Sequence, residues 1–281
     1  MKKLFTLSVL VLLFFFALKF VSADDLKTLK EETFSSSNGK ELIVTMQSGD
    51  VKIISGVKQE VYVKILGNDN AKEYYEYSSK NDGGNISIEV RLKKSAGILN
   101  NVELKAEIML PSEFNVNVTT SGGDINLSGI SGITKLTTAG GDIKCDNING
   151  KSDLTTAGGD IKCDNIKGNI EANTSGGDIK IKCSDGSIEA KTSGGDVKVE
   201  YSGVNYGIKL KTMGGDIRLS VPTDFAANAE LATMGGSIKT DFGLEVKEKN
   251  GKSKAEGILN RGGKIIECST MGGDVILSKL K

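Results

Sequence analysis

The sequence writes two glycines, an aspartate and a β-branched residue seven times. The aspartates of the seven copies are Asp124, Asp142, Asp160, Asp178, Asp196, Asp216 and Asp274, and the first five stand 18 residues apart. Repetition at a fixed short period is typical of a solenoid, in which each turn of chain buries its apolar face only against neighbouring turns. The repeat therefore constrains the fold much more tightly than it constrains the function.

Each 18-residue unit divides into two halves, and each half holds one short alternating run and one turn. In the unit 142–159, Ile143 and Cys145 alternate with polar residues, and Gly150 closes the first half. Alternation with period two predicts strands with one buried face. Because glycine turns join these runs without intervening helices, the pattern favours a coil whose strands pair in parallel with their copies one turn away. Antiparallel hairpins in a sandwich or barrel are the alternative.

The predicted fold class is therefore all-β, a parallel β-helix (β-solenoid) with coils of about 18 residues, preceded by a β-rich N-terminal capping segment. Ile148 and Ile166 lie between the alternating runs, and their inward packing at a corner would make the cross-section three-sided. The choice between two and three sides stays open. The predicted segments are a signal peptide at 1–23, the N-terminal β-rich segment at 24–112 and the repeat solenoid at 113–281, which we expect to be continuous with it.

The first residues have the pattern of a secretory signal peptide. Met1-Lys2-Lys3 precedes an apolar stretch from Leu4 to Leu18, and small residues at Val21 and Ala23 suit cleavage after Ala23. An uncleaved anchor is the alternative, but the apolar stretch is shorter than a membrane span. We predict an exported protein, in the periplasm, at the cell surface or outside the cell, without stable membrane insertion after cleavage.

Composition excludes several function classes. The chain has no His, the residue most often used as a general base or metal ligand near neutral pH, which argues against much hydrolase and zinc chemistry. Cleavage would remove three lysines and no acidic residue from a balance of 36 basic and 36 acidic residues, leaving a net charge of about −3. A nearly neutral protein is a poor ligand for nucleic acid. We predict no catalytic residues, no cofactor and no nucleic-acid partner.

The repeated turns are the candidate site, and we interpret them as a structural column. A cation stands two positions after most of the aspartates, which predicts ion ladders along the stack, with the carboxylates also accepting amide hydrogen bonds. Calcium is the alternative, with Asp142, Asp160, Asp178 and Asp196 as candidate ligands. It is the weaker one, because a lysine follows each of these carboxylates on the same strand face. The column comprises Gly122, Gly123, Asp124, Gly140, Gly141, Asp142, Gly158, Gly159, Asp160, Gly176, Gly177, Asp178, Gly194, Gly195, Asp196, Gly214, Gly215 and Asp216.

The cysteines and tyrosines can be interpreted as packing residues. Cys145 and Cys163 hold the same repeat position as Leu127, so we interpret them as core residues, although a bridge between them stays open in an exported chain. Four tyrosines cluster before the repeats and could stack sugar rings or simply pack the N-terminal cap. They are Tyr62, Tyr74, Tyr75 and Tyr77.

The segments flanking the regular repeats are harder to interpret. Before them, longer runs predict strands at 41–46, 51–54, 60–65, 85–92 and 102–110, and Gln47 to Val51 looks like a degenerate first copy of the turn. Residues 71–79 are too β-leaning to predict a helix. After the repeats, Lys247 to Ala255 predicts a loop, and the chain stops without an evident cap, so the end of the stack is a candidate surface for end-to-end self-association.

Residues 109–125, MLPSEFNVNVTTSGGDI, carry a resemblance to a known family. A Leu-Pro pair, alternating valines and a Thr-x-x-Gly-Asp-Ile turn lead into the repeats, and this pattern resembles a bacterial family of unknown function labelled "putative adhesin". The resemblance extends from about Lys40 to the end. It implies a parallel β-solenoid at the cell envelope or outside the cell, and the family has no agreed active site to transfer.

Three functions follow as hypotheses. The leading one is an exported, non-enzymatic β-solenoid that acts through its surface, in adhesion or in cell-envelope structure, on an unidentified protein or glycan. The alternative is an envelope sensor or accessory protein that binds another protein. The weakest is a polysaccharide-active β-helix enzyme, because the turns are too short to build a groove around clustered acids.

Overall fold

The repeats form a coil whose two strands per turn belong to two different sheets. The computed structural model describes residues 26–93 and 101–280. One strand of each turn follows the aspartate: β9 (Ile125–Ser128), β11 (Ile143–Asn149), β13 (Ile161–Lys167), β15 (Ile179–Ser184), β17 (Val197–Ser202) and β19 (Ile217–Val221). The other precedes the glycine pair: β8 (Phe114–Thr120), β10 (Thr134–Thr138), β12 (Ser152–Thr156), β14 (Ile170–Asn173), β16 (Ile188–Lys191) and β18 (Ile208–Lys211). We call the sheet of the first set sheet 1 and that of the second set sheet 2.

Equivalent residues of successive turns lie side by side. In the pairing of β11 with β13, Ile143 lies beside Ile161 and Cys145 beside Cys163, and both strands run in the same direction. The same parallel register joins β10 to β12 in sheet 2. The predicted parallel β-solenoid is confirmed, and the antiparallel alternative is wrong for the repeats. Alternation places one face of each strand in the core, where Ile143, Leu154 and Ile161 are fully buried.

The corner after the sheet 1 strands decides the shape of the cross-section. Ile148 and Ile166 are both buried, so they do point inward, but they belong to the ends of β11 and β13 and form no third sheet. The chain bends just before them at Asn147 and Asn165, which have φ angles of 54° and 56°. Asn tolerates this left-handed conformation better than most residues. The cross-section is therefore two-sided.

The N-terminal segment supplies the first turns of the stack and closes its end. The elements are β1 (Lys27–Ser35), β2 (Lys40–Met46), β3 (Asp50–Gly56), β4 (Glu60–Gly67), α1 (Asp69–Tyr74), β5 (Tyr75–Asp82), β6 (Asn85–Leu92) and β7 (Leu104–Pro111). β2 and β3 form a turn stacked in parallel on β8 and β9, and β6 and β7 form the next turn outward. Antiparallel strands then extend both sheets, β4 and β1 beyond β7, and β5 beyond β6.

The short helix α1 contradicts the expectation that residues 71–79 contain no helix. Asn68 caps it, and its side-chain oxygen accepts a hydrogen bond from the Ala71 amide at 3.0 Å. The β-leaning character of the segment is correct from Tyr75 onward, where β5 begins. One turn of helix held by a cap and by the buried Ala71 is too short for a periodic sequence signal.

The last turns are stacked out of chain order. The elements are β20 (Ala227–Thr233), β21 (Ile238–Thr240), β22 (Val246–Lys249), β23 (Lys252–Leu259), β24 (Ile265–Thr270) and β25 (Val275–Lys279). β24 lies between β18 and β20, and β25 lies between β19 and β21. Along the chain, β20 and β21 therefore form the outermost turn first. β24 and β25 then form the turn that lies between it and the turn of β18 and β19.

Two expectations about this end are corrected. Residues 247–255 are not a loop, because β22 and β23 pair there as an antiparallel hairpin and β23 also pairs with β20. The stack also does not end at the last strand of the chain, since β25 is an inner strand and the hairpin covers sheet 2. The edge that remains on sheet 1 is the three-residue strand β21. A short edge strand is one way in which proteins limit edge-to-edge pairing.

Two predictions concern export and the membrane. The signal peptide at 1–23 lies outside the described residues. Within 26–93 and 101–280, no helix has the length and apolar character needed to cross a membrane.

Candidate functional site

The glycine pairs and aspartates of the repeats lie in one column along the edge where the chain crosses from sheet 2 to sheet 1. The backbone amide of each aspartate donates a hydrogen bond to the carboxylate of the aspartate in the preceding turn of the stack, as from Asp142 to Asp124 at 2.8 Å. The ladder includes Asp50, so Gln47 to Val51 is a copy of the turn, and it closes with Ser237. Its members in stack order are Asp50, Asp124, Asp142, Asp160, Asp178, Asp196, Asp216, Asp274 and Ser237.

A second ladder of threonines runs parallel to the aspartates on the buried side of the turn. The Thr156 hydroxyl donates to the Gly141 carbonyl of the preceding turn at 2.8 Å and accepts from the Gly159 amide of its own turn at 3.3 Å. These bonds satisfy buried polar groups that would otherwise be costly. Thr120, Thr138, Thr156, Thr174, Thr192, Thr212, Thr270 and Thr233 make the same bond to a glycine carbonyl.

The two glycines of each pair have different roles. A β-carbon at the second glycine, Gly159, would lie 2.1 Å from the Gly141 carbonyl oxygen, a distance no side chain can adopt. A β-carbon at the first glycine, Gly158, would lie 3.6 Å from the nearest atom, the Gly140 carbonyl oxygen, which is ordinary contact. The second glycine is therefore required by the close approach of successive turns.

The cations beside the aspartates form a column, but their ion pairs do not follow one rule. Lys144 bridges Asp142 at 3.4 Å, as the ion-ladder prediction requires, whereas Lys162 bridges Asp164 at 3.3 Å on the other side. Arg218 contacts the carboxylates of two turns, Asp196 and Asp216. These pairs are partly exposed, and each contributes little stability. The positive charges of Lys144 and Arg218 offset repulsion within the aspartate column.

The hydrogen bonds of the column also bear on calcium. One oxygen of each candidate carboxylate already accepts a hydrogen bond from an amide. The second oxygen of Asp142 pairs with Lys144, and that of Asp196 pairs with Arg218. A calcium ion needs six to eight oxygen ligands. In the part of the chain that the structure describes, no three His, Cys, Asp or Glu side chains are grouped as metal ligands. The calcium alternative stays a prediction, tested below.

All four cysteines are free and buried. Cys145 and Cys163 are neighbours in the register of β11 and β13, and their thiols contact each other, which together with burial raises the pKa of Cys163. Burial raises the pKa of Cys183 and of Cys268 to about 12. Such thiols are unreactive, and they occupy the core positions expected of them.

The tyrosines before the repeats hold the N-terminal strands together. The Tyr62 hydroxyl donates to Glu31 at 2.8 Å, and the Tyr77 hydroxyl donates to Glu32 at 2.7 Å, which ties both to β1. Burial and the Glu31 carboxylate raise the pKa of Tyr62 to about 12. Tyr75 and Tyr77 also pack against the core. This geometry is that of a packed cap.

The structure also brings together an apolar patch that the sequence did not single out. Ile258 and Ile265 flank Asn228 on the outer face of sheet 2, with 70% and 50% of their surface exposed. Tyr206, 53% exposed, lies in the adjoining loop, which Asn205 fastens to the Lys264 carbonyl at 2.7 Å. We call Tyr206, Ile258 and Ile265 the sheet 2 patch. Two apolar residues outside the buried alternation, at 258 and 265, were the only signal for it in the sequence.

A shallow groove of about 450 Å³ runs from this patch along sheet 2. Its walls include Lys209 and Glu189, which form an ion pair at 3.6 Å. Lys191 also hydrogen-bonds Glu189, and this bond lowers the pKa of that carboxyl. The groove is therefore lined by charged side chains of both signs as well as by isoleucines, and it ends beside exposed apolar side chains.

Two parallel sheets joined by turn ladders define the chain as a two-sided parallel β-solenoid. The profile of the family described as Toastrack DUF4097 matches residues 39–278, and the chain belongs to this family, whose fold is a β-solenoid. The family resemblance inferred from residues 109–125 is thereby confirmed. No functionally curated protein shows significant sequence similarity to the chain.

Solved structures from several bacteria are similar to this chain over about nine tenths of its length. A "putative adhesin" from Bacteroides fragilis is 13% identical, with 92% of this chain and 98% of that chain covered and a TM-score of 0.49. A "putative cell adhesion protein" from Clostridium sporogenes is 16% identical, with coverage of 90% and 100% and a TM-score of 0.30. A "putative lipid binding protein" from Parabacteroides distasonis is 13% identical, with coverage of 90% and 96% and a TM-score of 0.42.

Proposed function

We propose that this protein is an exported, non-enzymatic β-solenoid that acts through its surface, in adhesion or in cell-envelope structure. The observation that carries the proposal is that the repeated polar groups form hydrogen bonds between turns. The aspartates and threonines of the turns are the most regular polar residues of the chain, and both form hydrogen bonds with a neighbouring turn of the stack. Residues committed to holding the scaffold are poorly placed to act on a substrate.

The outer faces support the same proposal. Lys144, Lys162 and Lys180 lie in one row across sheet 1, beside the row of Asp142, Asp160 and Asp178. Strands about 4.8 Å apart make such rows long, straight and regularly charged. Extended arrays of this kind suit contact with another extended surface, such as a glycan chain or the cell envelope, better than they suit enclosure of a small molecule.

Cell fractionation and a binding screen test this proposal. The chain 1–281, expressed in a bacterial host, should be recovered outside the cytoplasm with its first 23 residues removed. The purified mature protein should then bind isolated cell envelopes or members of a glycan array. A variant with Lys144, Lys162 and Lys180 changed to Gln should bind several-fold more weakly, whereas Lys58→Gln, at an exposed lysine outside the row, should not.

Retention in the cytoplasm would contradict export. Equal binding by the row variant and the loop control would contradict a role for the sheet 1 face. Release of unsaturated products from uronate polymers, detected by ultraviolet absorbance, would instead support the enzyme alternative.

A second candidate function, an accessory protein that binds another protein, is favoured by the sheet 2 patch. Exposed apolar side chains grouped at the end of a groove are typical of protein interaction sites. Crosslinking in intact cells should capture a partner with the unmodified chain and lose it with Ile258→Ser and Ile265→Ser together. Val57→Ser is the matched control, because Val57 is also an exposed apolar residue but lies at the other end of the molecule. Capture by all three proteins alike would exclude the patch as the contact.

A further inference from the structure

Three methionines far apart in the sequence lie next to one another in the stack. Met213, Met234 and Met271 each stand between a buried threonine and a glycine pair. Because β24 and β25 fill the position passed over earlier, Met271 lies between the other two. The Gly272 amide donates to the Met213 carbonyl at 2.9 Å, and a β-carbon at Gly235 would lie 3.2 Å from the Met271 carbonyl oxygen. We call these three residues the methionine column.

The methionine column is exposed, and the fold does not require it. Its side chains have 51%, 54% and 47% of their surface exposed in stack order. The equivalent position in the earlier turns holds a small residue: Ser121, Ala139, Ala157, Ser175 and Ser193. Those turns make the same threonine and aspartate bonds, so a serine or alanine serves the turn equally well. Three large apolar side chains in water need an explanation beyond packing.

We infer that the methionine column is a binding site for a soft monovalent metal ion, with Cu(I) as the ion that it fits. Thioether sulfurs are soft, uncharged ligands that select Cu(I) over calcium, magnesium or manganese. Because neighbouring strands are about 4.8 Å apart, the Cα atoms of Met213, Met271 and Met234 follow one another along the column at that spacing. With metal–sulfur bonds of about 2.3 Å, three sulfurs around one ion lie about 4 Å from each other.

The reach of the side chains makes this geometry accessible. Methionine has three rotatable bonds, so the side chains of Met213 and Met234 can lean toward Met271 without movement of the backbone. The central residue then needs the least adjustment. Since thioethers carry no proton near neutral pH, the site binds without proton release, unlike sites built from thiols or imidazoles.

Competition for Cu(I) with a chromophoric chelator such as bathocuproine disulfonate, under anaerobic conditions with ascorbate, tests the site. The mature chain should take up one Cu(I) ion, with an affinity that stays flat between about pH 5 and pH 8 because no ligand titrates. Replacing all three methionines by serine, the residue of other turns, should weaken binding by more than about 100-fold, beyond the effect of removing a mere supporting group. Circular dichroism should show that this variant is folded.

A transplant is the matched gain-of-function control. In the triple-serine background, Ser121→Met, Ala139→Met and Ala157→Met together rebuild the column on three other stacked turns, where the same positions are exposed. Binding should return. With methyl-labelled methionine and Ag(I) as a redox-silent probe, NMR signals of the column should shift, while those of the buried Met46 should not.

The inference is overturned if the unmodified chain takes up no Cu(I). It is also overturned if the triple-serine variant binds as tightly as the unmodified chain, since the ion would then be held by other residues. Failure of the transplant to restore binding would show that spacing along the stack is not what makes the site.

Discussion

The second glycine of each turn is the position at which a single added carbon meets the preceding turn. We expect Gly159→Ala to lower the free energy of unfolding by about 3 kcal/mol or more, at the upper end of what overpacking costs, because the Gly141 carbonyl cannot withdraw without breaking its neighbours' bonds. Gly158→Ala, one residue earlier, should cost less than about 1 kcal/mol, because its β-carbon makes an ordinary contact. Urea denaturation of the two variants measures the difference, and equal losses would refute the distinction.

The last carboxylate of the ladder should contribute to the pH dependence of stability. Hydrogen bonds from the backbone and hydroxyl of Ser237 lower the pKa of Asp274 from its ordinary value of 3.8. A carboxyl whose pKa is lowered by folding stabilises the fold above its unfolded-state pKa, and this contribution is lost as pH falls from about 4 through the folded-state value. Asp274→Asn keeps an oxygen acceptor but does not titrate.

Thermal melting of the two proteins between pH 3 and pH 7 tests this expectation. The unmodified chain should lose more stability toward acid than Asp274→Asn. Parallel curves would show that Asp274 makes no contribution to the acid dependence.

Calcium should leave the melting temperature nearly unchanged. One carboxylate oxygen of each turn is held by an amide, so ions would find too few ligands. The expected difference between melts in calcium and in chelator is below about 2 °C, the change that roughly 1 kcal/mol makes in a domain of this size. A rise of many degrees would show that the carboxylates at Asp142, Asp160, Asp178 and Asp196 do bind the ion.

At the scale of elements, the out-of-order strand β25 ties the C-terminal end together. Val275 and Leu277 of this strand are buried, and burial of two such side chains contributes about 3 to 6 kcal/mol. β21 has β25 as its partner in sheet 1. Removal of residues 274–281 should therefore expose the amides of β21 to hydrogen exchange, while those of β9, β11 and β13 keep their protection as an internal control. Unchanged protection of β21 would contradict the placement of β25 between β19 and β21.

The sequence predicted the turns well and their connections poorly, for a physical reason. Alternation and glycine spacing are local, so the strands and the column could be read from one unit, as in 142–159. The order of strands in a sheet depends on contacts between distant segments, such as the ladder bond from Asp274 to Asp216. The sequence of one repeat does not indicate which other repeat lies next to it in the stack. The hairpin at β22 and β23 and the helix α1 were missed because short elements depend on their partners.

The candidate site was predictable to the same degree. The aspartates, glycines and threonines recur at fixed positions, and their placement in one column follows from the period. The direction of the carboxylate bonds does not, because each partner lies a whole turn away, as Asp124 does from Asp142. The methionine column was hidden for a further reason: its three members become neighbours only through the exchanged order of the last turns.

At the scale of the whole molecule, the N-terminal segment and the repeats should unfold as one unit. β2 pairs with β8 over seven residues, and β3 pairs with β9, so the predicted boundary between 24–112 and 113–281 falls inside continuous sheets. Scanning calorimetry should give one transition whose calorimetric and van't Hoff enthalpies agree. Two resolved transitions, or a protease-resistant fragment beginning near residue 113, would instead establish two domains.

The position of β24 and β25 inside the outermost turn limits where repeat units can be added to or removed from a chain of this kind. A duplicated unit added after β25 would have no place to dock, because β25 already has a neighbour on both sides. One inserted between β11 and β15 would meet matching surfaces above and below, since those turns share a register. Growth and shortening should thus occur by whole units in the middle of the molecule, with both capped ends carried along unchanged.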